Sequence, residues 1–247
     1  MAAASPQLDQ YLSAGYFLSR LVDPVRPGHR AITLGHDHSP RRFFPETWAL
    51  SWCREPPEHR VRGAQIFGLT ETDLGRVHAW ADAAFSKVFG AWDVIFRIED
   101  ARTIARMFLS GAQGLELWGL GVRRSVLDDL REGTVPPPQV PGYAPTGASG
   151  VHLSTELVQP LAPGGTPLGH EPLIAEVGCS FNSPASLHLD EAIVWSRLGV
   201  QPNAHGLIDS YDEALAGCRD FGSEEVAGPD PLSDWFPGLI VRYPLEP

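Results

Sequence analysis

The sequence predicts an α+β protein in which a mixed or antiparallel sheet is flanked by several helices. Apolar stretches typical of strands and capped stretches typical of helices follow one another irregularly, without the repeating strand–helix–strand order of a doubly wound fold. Hydrophobic residues make up 43% of the 247 residues, which is enough to bury a substantial core. We therefore expect either one core or two closely packed lobes.

Four strands are expected in the first half of the chain, because apolar stretches occur at 15–22, 48–53, 92–98 and 115–122. A helix is expected to begin after Thr70, since Thr70 and Asp73 have the spacing of a capping box and apolar residues follow at helical intervals. Apolar residues on one face predict a second helix at 99–109. Ser125 and Asp128 have the same cap spacing and predict a short third helix.

Three strands are expected in the second half of the chain, at 151–161, 171–178 and 238–244. The first two flank the turn-rich segment PGGTPLGH at 163–170. That arrangement predicts an antiparallel hairpin with an extended loop between its strands.

Two capped helices are expected between these strands. Ser183 stands before Pro184, a pair typical of a helix start, and Gly199 follows the apolar positions as a helix stop. Ser210 and Glu213 again have capping-box spacing and predict the second helix.

A proline- and glycine-rich segment separates the two halves. Residues 133–150 contain five prolines and no charged residue, which disfavours both a helix and a central strand. We interpret it as a loop or linker between an α+β lobe at 1–132 and an acidic α+β lobe at 151–247, with one continuous domain as the alternative.

Acidic residues are concentrated in the second half of the chain. Residues 1–124 contain 15 basic and 13 acidic residues, whereas residues 125–247 contain 4 basic and 17 acidic ones. Such a surface repels phosphate backbones and attracts basic proteins, so nucleic-acid binding is not expected. No stretch is long and apolar enough for a membrane helix, and the first residues lack the pattern of a secretion signal. We expect a cytoplasmic protein.

Motifs for common enzyme chemistry are missing from the sequence. It has no GxGxxG, GxSxG or HExxH pattern, and its three cysteines are widely spaced. The most suggestive local cluster is His36, Asp37 and His38, whose side chains are suitable metal ligands in a weakly specific arrangement. Cys179 at a strand end is a second, weaker candidate, as a nucleophile.

The second half resembles a known kind of protein. The run LGVQPNAHGLIDSYDEALAGCRDF at 198–221, preceded by LELWGLGV and followed by DWFPGLIVRYP, resembles uncharacterised bacterial cytosolic proteins of toxin-immunity type. The resemblance covers roughly half of the chain and rests on fold-determining residues. These are Asn203 and Gly206 as turn formers, Ser210 and Glu213 as a helix cap, and Leu207, Tyr211 and Ala214 as core contacts.

The resemblance implies a stoichiometric binding protein that neutralises a basic toxin, for example a nuclease, without turnover or a cofactor. The expected contacts are the acidic residues of the second half and one exposed aromatic residue: Asp128, Asp129, Asp190, Glu191, Asp209, Asp212, Glu213 and Trp235. The alternative is a hydrolytic or metal-dependent enzyme that combines dispersed histidines and carboxylates. A module that pairs with itself is a third possibility.

Overall fold

A computed structural model describes residues 8–21, 41–44, 67–70, 72–73, 75–76, 79–80, 95, 97–126, 159–175, 181–184, 189–223 and 235–246. The strands are β1 (Tyr11–Leu21), β2 (Arg41–Phe44), β3 (Leu115–Arg123), β4 (Thr166–Ala175), β5 (Phe181–Asn182) and β6 (Phe236–Tyr243). The helices with defined bounds are α1 (Ile98–Phe108), α2 (Glu191–Leu198) and α3 (Tyr211–Phe221).

The six strands form one antiparallel sheet in the order β2–β1–β3–β6–β4–β5. Strands β1 to β3 come from the first half of the chain and β4 to β6 from the second. The two halves meet where β3 pairs with β6, from Leu117 opposite Tyr243 to Val122 opposite Gly238. The α+β prediction is confirmed, and the two predicted lobes do not have separate sheets.

Both faces of the sheet are buried. On β6, Leu239 and Val241 belong to a cluster that includes the buried residues of α1, whereas Phe236 and Ile240 belong to a second cluster with Leu207. Helices α2 and α3 pack on each other, and α3 also contacts β4 and β6. Burial on both faces explains why β3 and β6 are almost continuously apolar instead of alternating.

Two register shifts interrupt the sheet, one in β1 between Ser13 and Gly15 and one in β4 between Pro167 and Gly169. An extra residue in a strand reverses the alternation of side chains beyond it. Tyr11 and Tyr16 are an odd number of residues apart, yet the shift allows both to join the cluster that packs on α1.

Most of the predicted elements that fall on described residues are found. The Thr70 hydroxyl accepts from the Asp73 amide at 3.1 Å, as expected of the predicted helix start, and α1 and β3 lie within one or two residues of their predicted bounds. The residues at 48–53, 127–158 and 176–180 lie outside the described part of the chain.

The predicted start of α2 at Ser183 is wrong. The helix begins at Glu191, and its cap is Asp190, whose Oδ1 accepts from the Ala192 and Ile193 amides at 3.0 and 3.4 Å. Aspartate caps a helix as effectively as serine, so the Ser-Pro pair was not the decisive signal. The predicted stop at Gly199 is confirmed, since its φ of 66° is the left-handed value typical of that position.

The predicted hairpin is also wrong in the described residues. Strand β4 already begins at Thr166, inside the segment expected to be a loop, and it pairs with β6. Residues 159–161 pair instead with β1, where the Ser13 amide donates to the Gln159 carbonyl at 2.7 Å. Strand β4 pairs with the distant β6 from Thr166 to Leu173, and only its last two residues pair with β5, the next strand in sequence.

Candidate functional site

The start of α3 carries three exposed carboxylates. Ser210 caps this helix, with its Oγ accepting from the Glu213 amide at 3.3 Å, so the predicted cap is confirmed. Asp209, Asp212 and Glu213 are exposed, whereas Ala214 on the opposite side is fully buried. Negative charges in a first helical turn also interact favourably with the helix dipole.

The loop before α3 is organised by Asn203. Its Oδ1 accepts from the His205 and Leu207 amides at 2.9 and 3.2 Å. Its Nδ2 donates to the Leu168 carbonyl at 2.7 Å and to Asp209 Oδ1 at 2.6 Å. The amide side chain therefore joins the loop to β4 and fixes the position of the Asp209 carboxylate.

Strand β4 approaches this loop very closely at Gly169, where φ is 137°. A Cβ atom there would lie 2.8 Å from Leu207 Cβ and 3.1 Å from the Ile208 carbonyl oxygen. The next residue, His170, exchanges two backbone hydrogen bonds with Ile208, at 2.7 and 2.9 Å. Glycine is needed at 169 both for its backbone conformation and for this contact.

The exposed acidic residues of the α2–α3 layer have no basic partner in the described part of the chain. The ion pair found in this layer joins Arg197 to Asp220 at 3.2 Å. Asp190 at the start of α2, together with Asp209, Asp212 and Glu213, forms no ion pair there. We call these four residues the acidic surface. Glu191, also expected as a contact, is partly buried.

Trp235 is buried, and its expected exposure is wrong. Only 8% of its surface is accessible, and its ring lies 5.5 Å from that of Phe221 in the cluster formed by α2 and α3. The tryptophan precedes β6 directly, so its ring fills the space between that strand and α3.

Asp128 and Asp129 lie outside the described residues, as do His36, Asp37 and His38.

A buried polar network lies behind the acidic surface. The Tyr11 hydroxyl and His170 Nε2 are 2.9 Å apart, and His170 Nδ1 is 3.2 Å from the Ile208 carbonyl oxygen. A carbonyl only accepts, so Nδ1 carries the proton and Nε2 accepts from Tyr11. Both side chains are 1% exposed. Burial lowers the pKa of His170 to about 4, against the raising effect of the Ile208 carbonyl.

Arg123 completes this network. Its Nε donates to the Tyr11 hydroxyl at 3.3 Å, and its Cζ lies over the Tyr211 ring, 3.6 Å from the centroid. The Tyr211 ring also meets His170 edge to face at 5.5 Å. Burial raises the pKa of Tyr11, while the guanidinium of Arg123 acts in the opposite direction. The network thus connects β1, β3, β4 and the first residue of α3.

No protein-family model, curated protein or solved structure matches this chain.

Two side chains with catalytic potential, His170 and Cys218, are buried in the described part of the chain. Both ring nitrogens of His170 are engaged, and burial raises the pKa of the Cys218 thiol, which makes it a poor nucleophile. No three His, Cys, Asp or Glu side chains among the described residues are grouped to hold a metal ion. In the same part of the chain, no helix combines the length and the apolar content needed to cross a membrane.

Sequence reasoning did not find the network of Tyr11, Arg123, His170 and Tyr211. These residues are far apart along the chain, and their contacts depend on how the strands are ordered. The available signal was the presence of His170 and Arg123 in strand sequences that are largely apolar, although β3 and β4 each also contain a glutamate. A charged or titratable residue in such a position is seldom buried without partners.

Proposed function

We propose that this chain is a stoichiometric binding protein that masks a basic protein, in the manner of toxin immunity, through the acidic surface of α2 and α3. The observation that carries the proposal is that Asp190, Asp209, Asp212 and Glu213 are exposed and form no ion pair in the described part of the chain. Carboxylates that have no ion-pair partner among the described residues are available to Lys and Arg side chains of another protein.

The acidic surface is held in place before any partner binds. Asp190 is fixed by its two cap hydrogen bonds and Asp209 by the amide of Asn203. Asp212 and Glu213 belong to a helix whose inner side is packed against the sheet. Groups that are already ordered lose less conformational entropy on binding, so more of the interaction energy contributes to affinity.

An apolar contact is also available on α2. Ile193 is 54% exposed, although most large hydrophobic residues in the described part are buried. Its backbone amide donates to the Asp190 carboxylate, so an apolar side chain stands next to an acidic one. Interfaces commonly combine such apolar contacts with charged groups, which speed association and select the partner. Ile193 takes the role that Trp235 was expected to have.

The test is an affinity capture from the native host, followed by titration of the purified pair. The informative variant is Asp212→Lys with Glu213→Lys, because both side chains are exposed and neither supplies the oxygen that caps α3. The matched control is Glu99→Lys with Glu246→Lys, which changes the net charge equally at exposed positions outside α2 and α3.

We expect a basic protein to bind the unmodified chain one to one, with an association rate that falls as salt rises. The Asp212 and Glu213 reversal should slow association at least about tenfold at low salt, while the control should change it much less. Equal binding by both variants would overturn the proposal. A purified chain that captures no protein but carries a metal or metabolite would favour the enzyme hypothesis instead.

A further inference from the structure

Arg123 is a partly buried cation without an ion-pair partner among the described residues, although the sequence contains 30 acidic residues and only 19 Lys and Arg residues. Two other arginines, by comparison, have a carboxylate partner, since Arg97 binds Asp100 at 2.8 Å and Arg197 binds Asp220 at 3.2 Å. Partly buried charges normally have a partner, so its absence at Arg123 needs an explanation.

The guanidinium is held firmly by neutral groups. One face lies against the Tyr211 ring, and the Tyr11 ring centroid is 5.6 Å from Cζ. Nε donates to the Tyr11 hydroxyl, which is itself held by His170. Stacking on an aromatic ring and a hydrogen bond at Nε together define the plane of the side chain.

The donors at the other end of the guanidinium have no hydrogen-bond acceptor in the part of the chain that the structure describes. Arg123 has five N–H groups, and the four on Nη1 and Nη2 have no acceptor among the described residues. These groups form the fork that binds two oxygens of a carboxylate or phosphate side by side. A second cation is adjacent in sequence, because Arg124 is exposed.

The position relative to α3 adds to this preference for an anion. Tyr211, on which the guanidinium stacks, is the first residue of α3, where the helix dipole is positive. Asp212 and Glu213 in the same turn oppose an anion but do not contact the guanidinium as ion pairs. Their repulsion should make binding weak, and removing it should make binding tighter.

We propose that Arg123 is the centre of a binding site for an oxyanion, a carboxylate or a phosphate group, bound by the Nη1 and Nη2 fork. The inference is independent of the proposed masking function, because the acidic surface attracts cations and this site takes an anion. The tyrosine rings hold the guanidinium in place before an anion binds, and the Nη1 and Nη2 fork supplies the specificity.

The test follows the Arg123 side chain itself by NMR, using the Nε–H resonance of the full chain. Inorganic phosphate and acetate are titrated separately at constant ionic strength, with chloride as the reference anion. We expect a saturable shift with phosphate, acetate or both, and the tighter anion identifies the source of the oxyanion. A shift that does not saturate, or that chloride reproduces, would mean an adventitious ion only and would overturn the proposal.

Two variants distinguish anion binding by the Nη1 and Nη2 fork of Arg123 from attraction by positive charge alone. Arg123→Lys keeps the charge but removes the fork, so we expect binding to weaken by about tenfold or more. Arg124→Lys is the matched control and should bind within about twofold of the unmodified chain, since it retains the Arg123 fork. The Asp212 and Glu213 reversal should bind the anion more tightly. If Arg123→Lys is poorly folded, the Nε–H titration of the unmodified chain decides the question alone.

Discussion

Acid should destabilise this protein through His170. The folded protein holds the pKa of this residue at about 4, below the ordinary value of about 6.5 in an unfolded chain. The neutral form is therefore favoured in the folded state. Neutral His170 therefore contributes to the free energy of unfolding. This contribution is fully present above about pH 6.5 and is lost as the pH falls towards 4. The pKa difference corresponds to about 3 kcal/mol of unfolding free energy.

The groups around His170 do not relieve this effect. Tyr11 donates to Nε2, and that hydrogen bond would have to break when Nε2 is protonated. The charge of Arg123 repels a protonated imidazole, and Tyr211 contacts His170 with the edge of an uncharged ring. Asp209 favours the protonated form but does not outweigh burial. Protonation turns Nε2 from an acceptor into a donor, so the Tyr11 O–H must turn away from it in a buried position where its hydroxyl already accepts from Arg123.

The assay is urea unfolding of the unmodified chain and of His170→Gln at several pH values between 7.5 and 4. Glutamine can keep both side-chain hydrogen bonds but does not titrate. We expect His170→Gln to be less stable at neutral pH and to lose less stability in acid. The difference in unfolding free energy between the two proteins should shrink by about 3 kcal/mol as the pH falls. The control is His205→Gln, measured in the same way. Parallel pH profiles for the unmodified chain and His170→Gln would refute the reasoning.

Two further substitutions test how α3 is positioned. Asn203→Ala removes four hydrogen bonds and should lower the unfolding free energy by about 2–4 kcal/mol in denaturant titrations. A loss below about 1 kcal/mol would contradict the role assigned to Asn203 in organising the loop before α3. Gly217→Ala should destabilise by about 1–3 kcal/mol despite the better helix propensity of alanine, because its Cβ would overlap the buried six-membered ring of Trp195. Gly111→Ala, which has open space around its Cβ position, should change the unfolding free energy little in the same denaturant titrations, and equal behaviour of the two variants would argue against tight packing at Gly217.

The elements that could be predicted are those with a local physical cause. Ser210 caps α3 because its hydroxyl can reach an amide three residues on, and that geometry is contained in the spacing alone. The exposure of Asp212 and Glu213 follows from helical periodicity, which places them away from the buried Ala214. The same logic predicted Ser183 as the cap of α2, whereas the structure uses Asp190.

The features that could not be predicted depend on distant contacts. Nothing local indicates that β4 pairs with β6, so the segment around Gly169 was read as a loop from its glycine and proline content. Trp235 was expected at the surface because it stands beside a turn-like sequence, but the Phe221 ring covers it. The partners of His170 were equally hidden, since Tyr11 lies 159 residues away in sequence.

The order of the strands has a consequence for how this protein is made. During synthesis, β1, β2 and β3 leave the ribosome first and can pair with one another. Strand β4 follows, but its long pairing is with β6, the last of the six described strands in chain order. Until β6 emerges, one edge of β3 and one edge of β4 are left without the partner they have in the finished sheet. Such edges can pair with other chains, so the interval before β6 appears is when aggregation, or protection by a chaperone, should matter most.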